Sequence, residues 1–275
     1  MKTISGLASL TLSALAPLAA IDVTPVYGPD DVRVGMEALS KQLYDGKLLL
    51  DDAVARVYGS ARYYGVGFSA DGYLALGSDD TTQGRDVNPL ESTQVNARLD
   101  YLFEYTDEQE VPIFQIIPKL TWTTMPNQPS SWNDDYKNNL LWLGAEAWYM
   151  LPWEGLEVGG SFEVNTPDGF NYVRGAIGAR EFFQQYSPFD LFFWQTLNFS
   201  DGQYNKIQSG SDEAGLTFLD IGGKITYPMP FQQTWLYVKA DIQMWVNGDS
   251  RDRLHEAGLD GGNFVMGVGV EWIAE

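Results

Sequence analysis

Between Tyr64 and Trp272 the chain repeats one pattern: every second residue is apolar, and the residues between are charged, amide or small. Val95-Asn96-Ala97-Arg98-Leu99-Asp100-Tyr101 is one instance. Leu156, Val158, Gly160, Phe162 and Val164 set against Glu157, Gly159, Ser161, Glu163 and Asn165 is another. Consecutive side chains of an extended strand point to opposite faces, so each such segment is a ribbon with one oily and one wet side. A helix cannot keep a two-residue period on one face, so the pattern predicts an all-β fold. A membrane helix needs roughly 18 consecutive apolar residues, and the chain after its first twenty residues has no such run.

Ten strands follow from the alternation: Arg62–Gly77, Gln94–Tyr105, Ile113–Thr124, Asn139–Leu151, Leu156–Asn165, Tyr172–Gln184, Leu191–Ser200, Thr217–Tyr227, Trp235–Asn247 and Asn263–Ile273. The seventh has apolar residues on both faces. Connections after the second, fourth, sixth and eighth strands are short, and those after the first, third, seventh and ninth are long and polar. Short turns on one rim and long loops on the other are expected of an up-and-down antiparallel transmembrane β-barrel. We expect about 10 strands, with eight or twelve as alternatives. An even number puts both chain ends on the short-turn rim.

The first residues read differently. Met1-Lys2, the apolar stretch Ile4–Leu18 and Ala19-Ala20 have the layout of a secretory signal peptide, residues 1–20. Pro29-Asp30-Asp31 is a helix start; Val34, Ala38, Leu39 and Leu43 fall near a 3.6-residue spacing, and Gly46 is a stop. A second short helix fits Leu48–Val57. Residues 21–57 are therefore expected to be an N-terminal periplasmic segment, partly helical, with the barrel spanning 58–275.

The export signal, the alternating strands and the closing series Phe264, Met266, Val268, Val270, Trp272 together resemble a Gram-negative outer-membrane β-barrel protein, porin-like and of no particular family. The resemblance implies an outer-membrane location and insertion by the barrel-assembly machinery, which reads an aromatic residue near the end of the chain. It also implies outer-membrane lipid and lipopolysaccharide as partners.

With the apolar face toward lipid, the wet face becomes the lumen. It is expected to carry Asp71, Arg98, Asp100, Glu104, Lys119, Glu146, Glu157, Glu163, Arg174, Arg180, Asp220, Lys224, Lys239, Asp241 and Glu271, an acidic excess that favours cations in any passage. Tyr101, Tyr105, Tyr149, Tyr227 and Trp272 near the short-turn rim, and Trp122 toward the other, are expected to be membrane-facing aromatic girdles.

The net charge of −20 argues against nucleic acid, which needs a basic face. The absence of cysteine removes disulfides and thiolate chemistry. No metal-ligand cluster, phosphate-binding loop or cofactor motif is present, and no catalytic residue is assigned. The single histidine, His255, is read as a solvated loop residue. Acid pairs at Asp79-Asp80, Asp134-Asp135 and Asp212-Glu213 could hold divalent cations. The expected function is non-enzymatic: a structural or surface role, or a narrow porin-like passage for small solutes. The alternative is a secreted soluble β-sandwich that binds or hydrolyses glycans. Such a sandwich would put Leu99, Leu143 and Val238 in a dry centre.

Overall fold

The computed structural model describes residues 32–77, 79–80, 86–108, 112–125, 139–152, 155–165, 172–183, 189–231 and 233–274. The wall consists of twelve antiparallel strands: β1 Val32–Leu39, β2 Val54–Tyr63, β3 Val66–Ala75, β4 Ser92–Tyr101 (continued by Phe103–Thr106), β5 Pro112–Thr124, β6 Asn139–Met150, β7 Leu156–Asn165, β8 Val173–Phe183, β9 Asp190–Ser200, β10 Gly215–Pro228, β11 Thr234–Trp245 and β12 Gly262–Ala274. Each pairs with its neighbour in sequence, and β1 pairs with β12, Val34 opposite Trp272, so the sheet closes on itself. Closure leaves no edge strand with unpaired backbone groups, the condition for a sheet to stand in hydrocarbon.

The interior and exterior have the polarity of a membrane barrel. Leu99, Leu143 and Val238 are 50, 48 and 47% exposed on the outer surface, whereas Lys119 and Glu163 are 3 and 1% exposed inside. Arg98 and Asp241 also face inward, where they line the lumen. The closed wall, oily outside, overturns the sandwich alternative.

Nine of the ten expected strands coincide with β4–β12 to within a few residues. The first was drawn too early. Tyr64 and Gly65 both have positive φ, 47° and 82°, and form a two-residue turn between β2 and β3. The count is twelve rather than ten because β1 and β2 were read as helical. Val32, Val34, Met36 and Ala38 face outward on β1, and Arg33, Gly35, Glu37 and Leu39 face inward. Over eight residues the apolar positions fit a helical spacing almost as well as a strand. The pairing of β1 with β2 on one side and β12 on the other decides it. The short helical N-terminal segment is therefore not present within residues 32–57. The signal-peptide residues 1–20 lie outside the described residues.

The short turns and both ends of the described wall share one rim. The opposite rim carries the long connections; among the described residues one forms a hairpin, one a two-residue bridge and two carry helices. Between β1 and β2 the chain turns into the lumen as a hairpin, Gln42–Tyr44 paired with Lys47–Leu50. Helix α1, Gly202–Ser209, follows β9, and helix α2, Gly248–Glu256, follows β11. Asp201 caps α1 by accepting from the Tyr204 backbone N–H, and Asn247 caps α2 by accepting from that of Ser250, each satisfying an otherwise unpaired helix donor. A Ser209–Ser250 hydroxyl hydrogen bond of 2.9 Å docks one helix on the other.

Candidate functional site in the barrel lumen

Strand alternation delivers charged side chains to a closed interior, and burial then demands that they pair. Two ionic networks result. The first climbs obliquely from the short-turn rim. Asp100 accepts from Arg62 and, at 2.8 Å, from Arg98; Arg98 and Lys119 share Glu146 at 2.8 and 2.9 Å. Lys119 also reaches Glu163 at 3.2 Å, and Arg174 binds Glu163 at 2.9 Å. The second centres on Glu37, held by Arg56 at 3.0 Å, Lys239 at 2.8 Å and the Tyr237 hydroxyl at 3.0 Å. Arg56 also holds Asp71 at 2.6 Å, and Glu271 joins Lys224 at 2.7 Å and the Tyr58 hydroxyl at 3.1 Å. Near the short-turn rim Arg180 pairs with Glu157 and lies 3.9 Å over the Trp148 ring.

Between these networks lies a cavity of about 330 Å³, reaching from Arg62 and Gly67 beside the first short turn to Leu43 and Tyr44 of the hairpin. Among the expected lumen residues, Asp71, Arg98, Asp100, Glu146, Glu163, Arg174, Arg180, Asp220, Lys224, Lys239, Asp241 and Glu271 line it. Lys119 and Glu157 belong to the networks but not to the cavity wall. Glu104 is exposed beyond β4 and accepts from the Gln115 amide at 2.8 Å. Sequence reasoning missed Arg33, Glu37, Lys41 and Arg56, because their segment was read as helical, and Arg62, which opened the first expected strand but was not counted among the lumen residues. They change the balance. Nine basic and eight acidic side chains line the cavity, not an acidic excess.

The hairpin roofs this cavity. Its tip crosses to the far wall, where Asp45 takes an Arg174 hydrogen bond at 2.7 Å and one from the Tyr204 hydroxyl of α1. The Gly46 carbonyl accepts from the Trp245 indole at 2.9 Å. Gly46 has φ +80°, and a Cβ there would meet the Phe218 ring at 2.7 Å, so turn and packing both require glycine. Behind the tip Tyr44, Leu49, Met125, Leu140, Trp142, Tyr204 and Ile207 form a dry cluster joining hairpin, wall and α1. Burial, with Asp45 beside it, pushes the Tyr44 phenol up to about 12, so it stays a protonated donor at neutral pH.

The two apolar faces of β9 also resolve. Phe192 and Trp194 point inward and stack, Phe182 on Phe192 at 4.5 Å and Phe192 on Trp194 at 5.4 Å. Tyr101, Tyr105, Trp122, Tyr149, Tyr227 and Trp272 all lie exposed on the outer surface. His255 is exposed in the last turn of α2. Of the acid pairs, Asp134-Asp135 lies outside the described residues, and Asp79-Asp80 forms a two-residue bridge with Asp86-Val87. In the third pair, Glu213 takes a 3.4 Å bond from Asn247.

No family profile matches the chain, and no curated protein matches it in sequence. Among solved structures it is similar to an outer membrane channel from Pseudomonas putida F1, with TM-score 0.50 and 12% identity over 92% of this chain and 98% of that one. A NanC porin structure aligns with TM-score 0.49 and 12% identity over 88 and 98% of the two chains. The chain has the closed-barrel fold of outer-membrane porins and channels.

Proposed function

We propose that this chain is a non-enzymatic barrel of a Gram-negative outer membrane, and that its lumen is a narrow passage for ions and small solutes that the infolded hairpin closes. The observation that carries this reading is the lumen itself: a cavity of about 330 Å³ walled by charge, ending under a dry roof that the infolded hairpin builds together with α1 and the wall. A purely structural barrel needs no cavity, and the wall would be expected to fill with paired side chains. The exposed outer surface, with aromatics toward its ends, is what lipid would cover. Lipopolysaccharide would meet the long-loop rim. The near balance of basic and acidic groups supports weak charge selectivity rather than the cation preference expected from sequence.

The test is reconstitution into a planar bilayer. The expected result is rare or small openings of the intact chain, with a cation-to-anion preference close to unity. A chain that folds into the bilayer yet passes no current, with or without its hairpin, would leave a structural or surface role as the better reading.

A further inference from the structure

Eight acidic side chains line the cavity, and six of them have a basic partner. Asp220 and Asp241 are the two that form no salt bridge with any described residue. They stand next to each other on the lumenal face of β10 and β11: Asp220 pairs in register with Gln243, and Asp241 with the adjacent Gly222. Asp220 is 5% exposed. An ionised carboxylate buried without a countercharge is costly, so something must neutralise it.

The neighbours of this pair are unusual in what they leave unused. Thr196, Asp220, Gln243 and Asn263 form one row across four strands, each opposite the next. Facing side chains in such a row sit roughly 5 Å apart. Thr196, Gln243 and Asn263 are all at least nine-tenths buried. Gln243 spends its N–H on Asp220 at 3.4 Å, which fixes the carboxamide and leaves its Oε1 without a partner. The Trp194 indole donates to the other Asp220 oxygen at 3.2 Å. The Thr196 hydroxyl, the Asn263 amide and Asp241 Oδ1 have no hydrogen-bond partner either. The two N–H groups that reach Asp220, from Trp194 and Gln243, are used; beside them Gln243 Oε1, the Thr196 hydroxyl oxygen, Asn263 Oδ1 and Asp241 Oδ1 stay free, along with the Asn263 amide N–H group. Among the described residues the one cation whose field reaches both carboxylates, Lys239, is bonded to Glu37, so the pair lacks a full countercharge of its own; oxygen donors around two such carboxylates are the coordination chemistry of a hard cation.

We propose that Asp220, Asp241, Gln243, Thr196 and Asn263 form a binding site for a hard divalent cation, of the Ca²⁺ type, in the lumen wall. Two carboxylates match the charge, and the neutral oxygens complete the shell together with water from the cavity. Among the described residues no three His, Cys, Asp or Glu side chains cluster as a metal centre. With only two carboxylates the affinity belongs at the weak end of calcium sites, on the order of 10⁻⁴–10⁻³ M. The sequence placed divalent cations on the outer loops; this site is inside, and it does not depend on whether the lumen conducts.

Trp194 makes the site directly readable, because an indole touching Asp220 can sensitise bound Tb³⁺. The experiment uses the full barrel, refolded into detergent so that no lipopolysaccharide is present, with heat-modifiable migration on a gel as the fold check. Tryptophan-excited Tb³⁺ emission should saturate and be reversed by millimolar Ca²⁺. Asp220→Asn and Asp241→Asn should each weaken it by about ten-fold, and Asp249→Asn on exposed α2 should leave it unchanged. Should Asp220→Asn fail to fold, Gln243→Leu and Thr196→Val keep both charges and should each weaken binding several-fold. Emission that does not saturate, that Ca²⁺ does not reverse, or that survives in folded Asp220→Asn and Asp241→Asn would overturn the site. In that case a proton, not a metal ion, neutralises the pair.

Discussion

The two halves of the lumen share one wall pattern and are filled in opposite ways. Toward the short turns the interior is an open cavity in which charges meet across space. Toward the long loops it is dry, built from Tyr44, Leu49, Met125, Leu140, Trp142, Tyr204 and Ile207. Inward positions on the wall account for only part of the difference: Leu140 and Trp142 of β6 join the dry cluster, yet Trp148 and Trp194 stand in the wet half and Glu163 and Arg174 beneath the dry one. The loops supply the rest. The hairpin and α1 bring apolar side chains into one half only, and Arg174 is the joint, holding wall Glu163 on one side and hairpin Asp45 on the other. A barrel wall decides where charge goes; its loops decide how much of the lumen stays wet.

The strongest way to break this contrast is to remove the roof. Replacing Lys41–Asp51 by a short Gly-Ser linker leaves both flanking strands and their pairing intact. Bilayer conductance should rise on the order of ten-fold, because the passage would then be limited by the wall alone. Heat-modifiable migration should persist, since the linker carries no ladder bond of the wall. Unchanged conductance would show that α1 and α2 close the lumen without the hairpin.

A pair of truncations sharpens the contrast next. Arg174→Ala leaves buried Asp45 without its basic partner and Glu163 with Lys119 alone, beneath the dry cluster, and should cost about 3–5 kcal/mol. Lys224→Ala in the wet half leaves Glu271 with the Tyr58 hydroxyl and nearby cavity water, and should cost only about 1 kcal/mol. Thermal unfolding followed by gel migration ranks them. Equal losses would mean that the two halves are equally dry.

The wall was legible from sequence because a membrane barrel obeys a two-residue period along its whole length. Phe264 to Trp272 on β12 could be read without error. What failed was local. The outward Val34 and Ala38 of β1 satisfy a helical spacing as well as a strand, and only the partner strands, Gly59 and Ala55 of β2 and Trp272 and Val268 of β12, remove the ambiguity. Half of the second ionic network went missing with that segment, and with it the charge balance. The helix caps Asp201 and Asn247 were readable signals that the loops around them held structure. The Asp45 latch was not readable at all, since its partners Arg174 and Tyr204 lie 129 and 159 positions away. The oxygen-rich row is invisible for the same reason: Thr196, Asp220, Gln243 and Asn263 become neighbours only through register.

The smallest predicted effect concerns the acidity of the hairpin. Burial pushes the Lys47 ammonium well below the ordinary lysine value of 10.5. A hairpin lifted into water recovers that ordinary value, so the released form binds more protons than the docked one. Docking therefore strengthens as pH rises through the interval between the depressed value and 10.5, and weakens as pH falls through it. Below the depressed value both forms are charged and the trend flattens. Channel openings should become more frequent as the pH of the bath is lowered across that interval. Lys47→Met removes the titrating group and should give a flatter profile with fewer openings at the acidic end. A profile that keeps its slope in Lys47→Met would assign the pH response to another group in the lumen and leave the roof insensitive to protons.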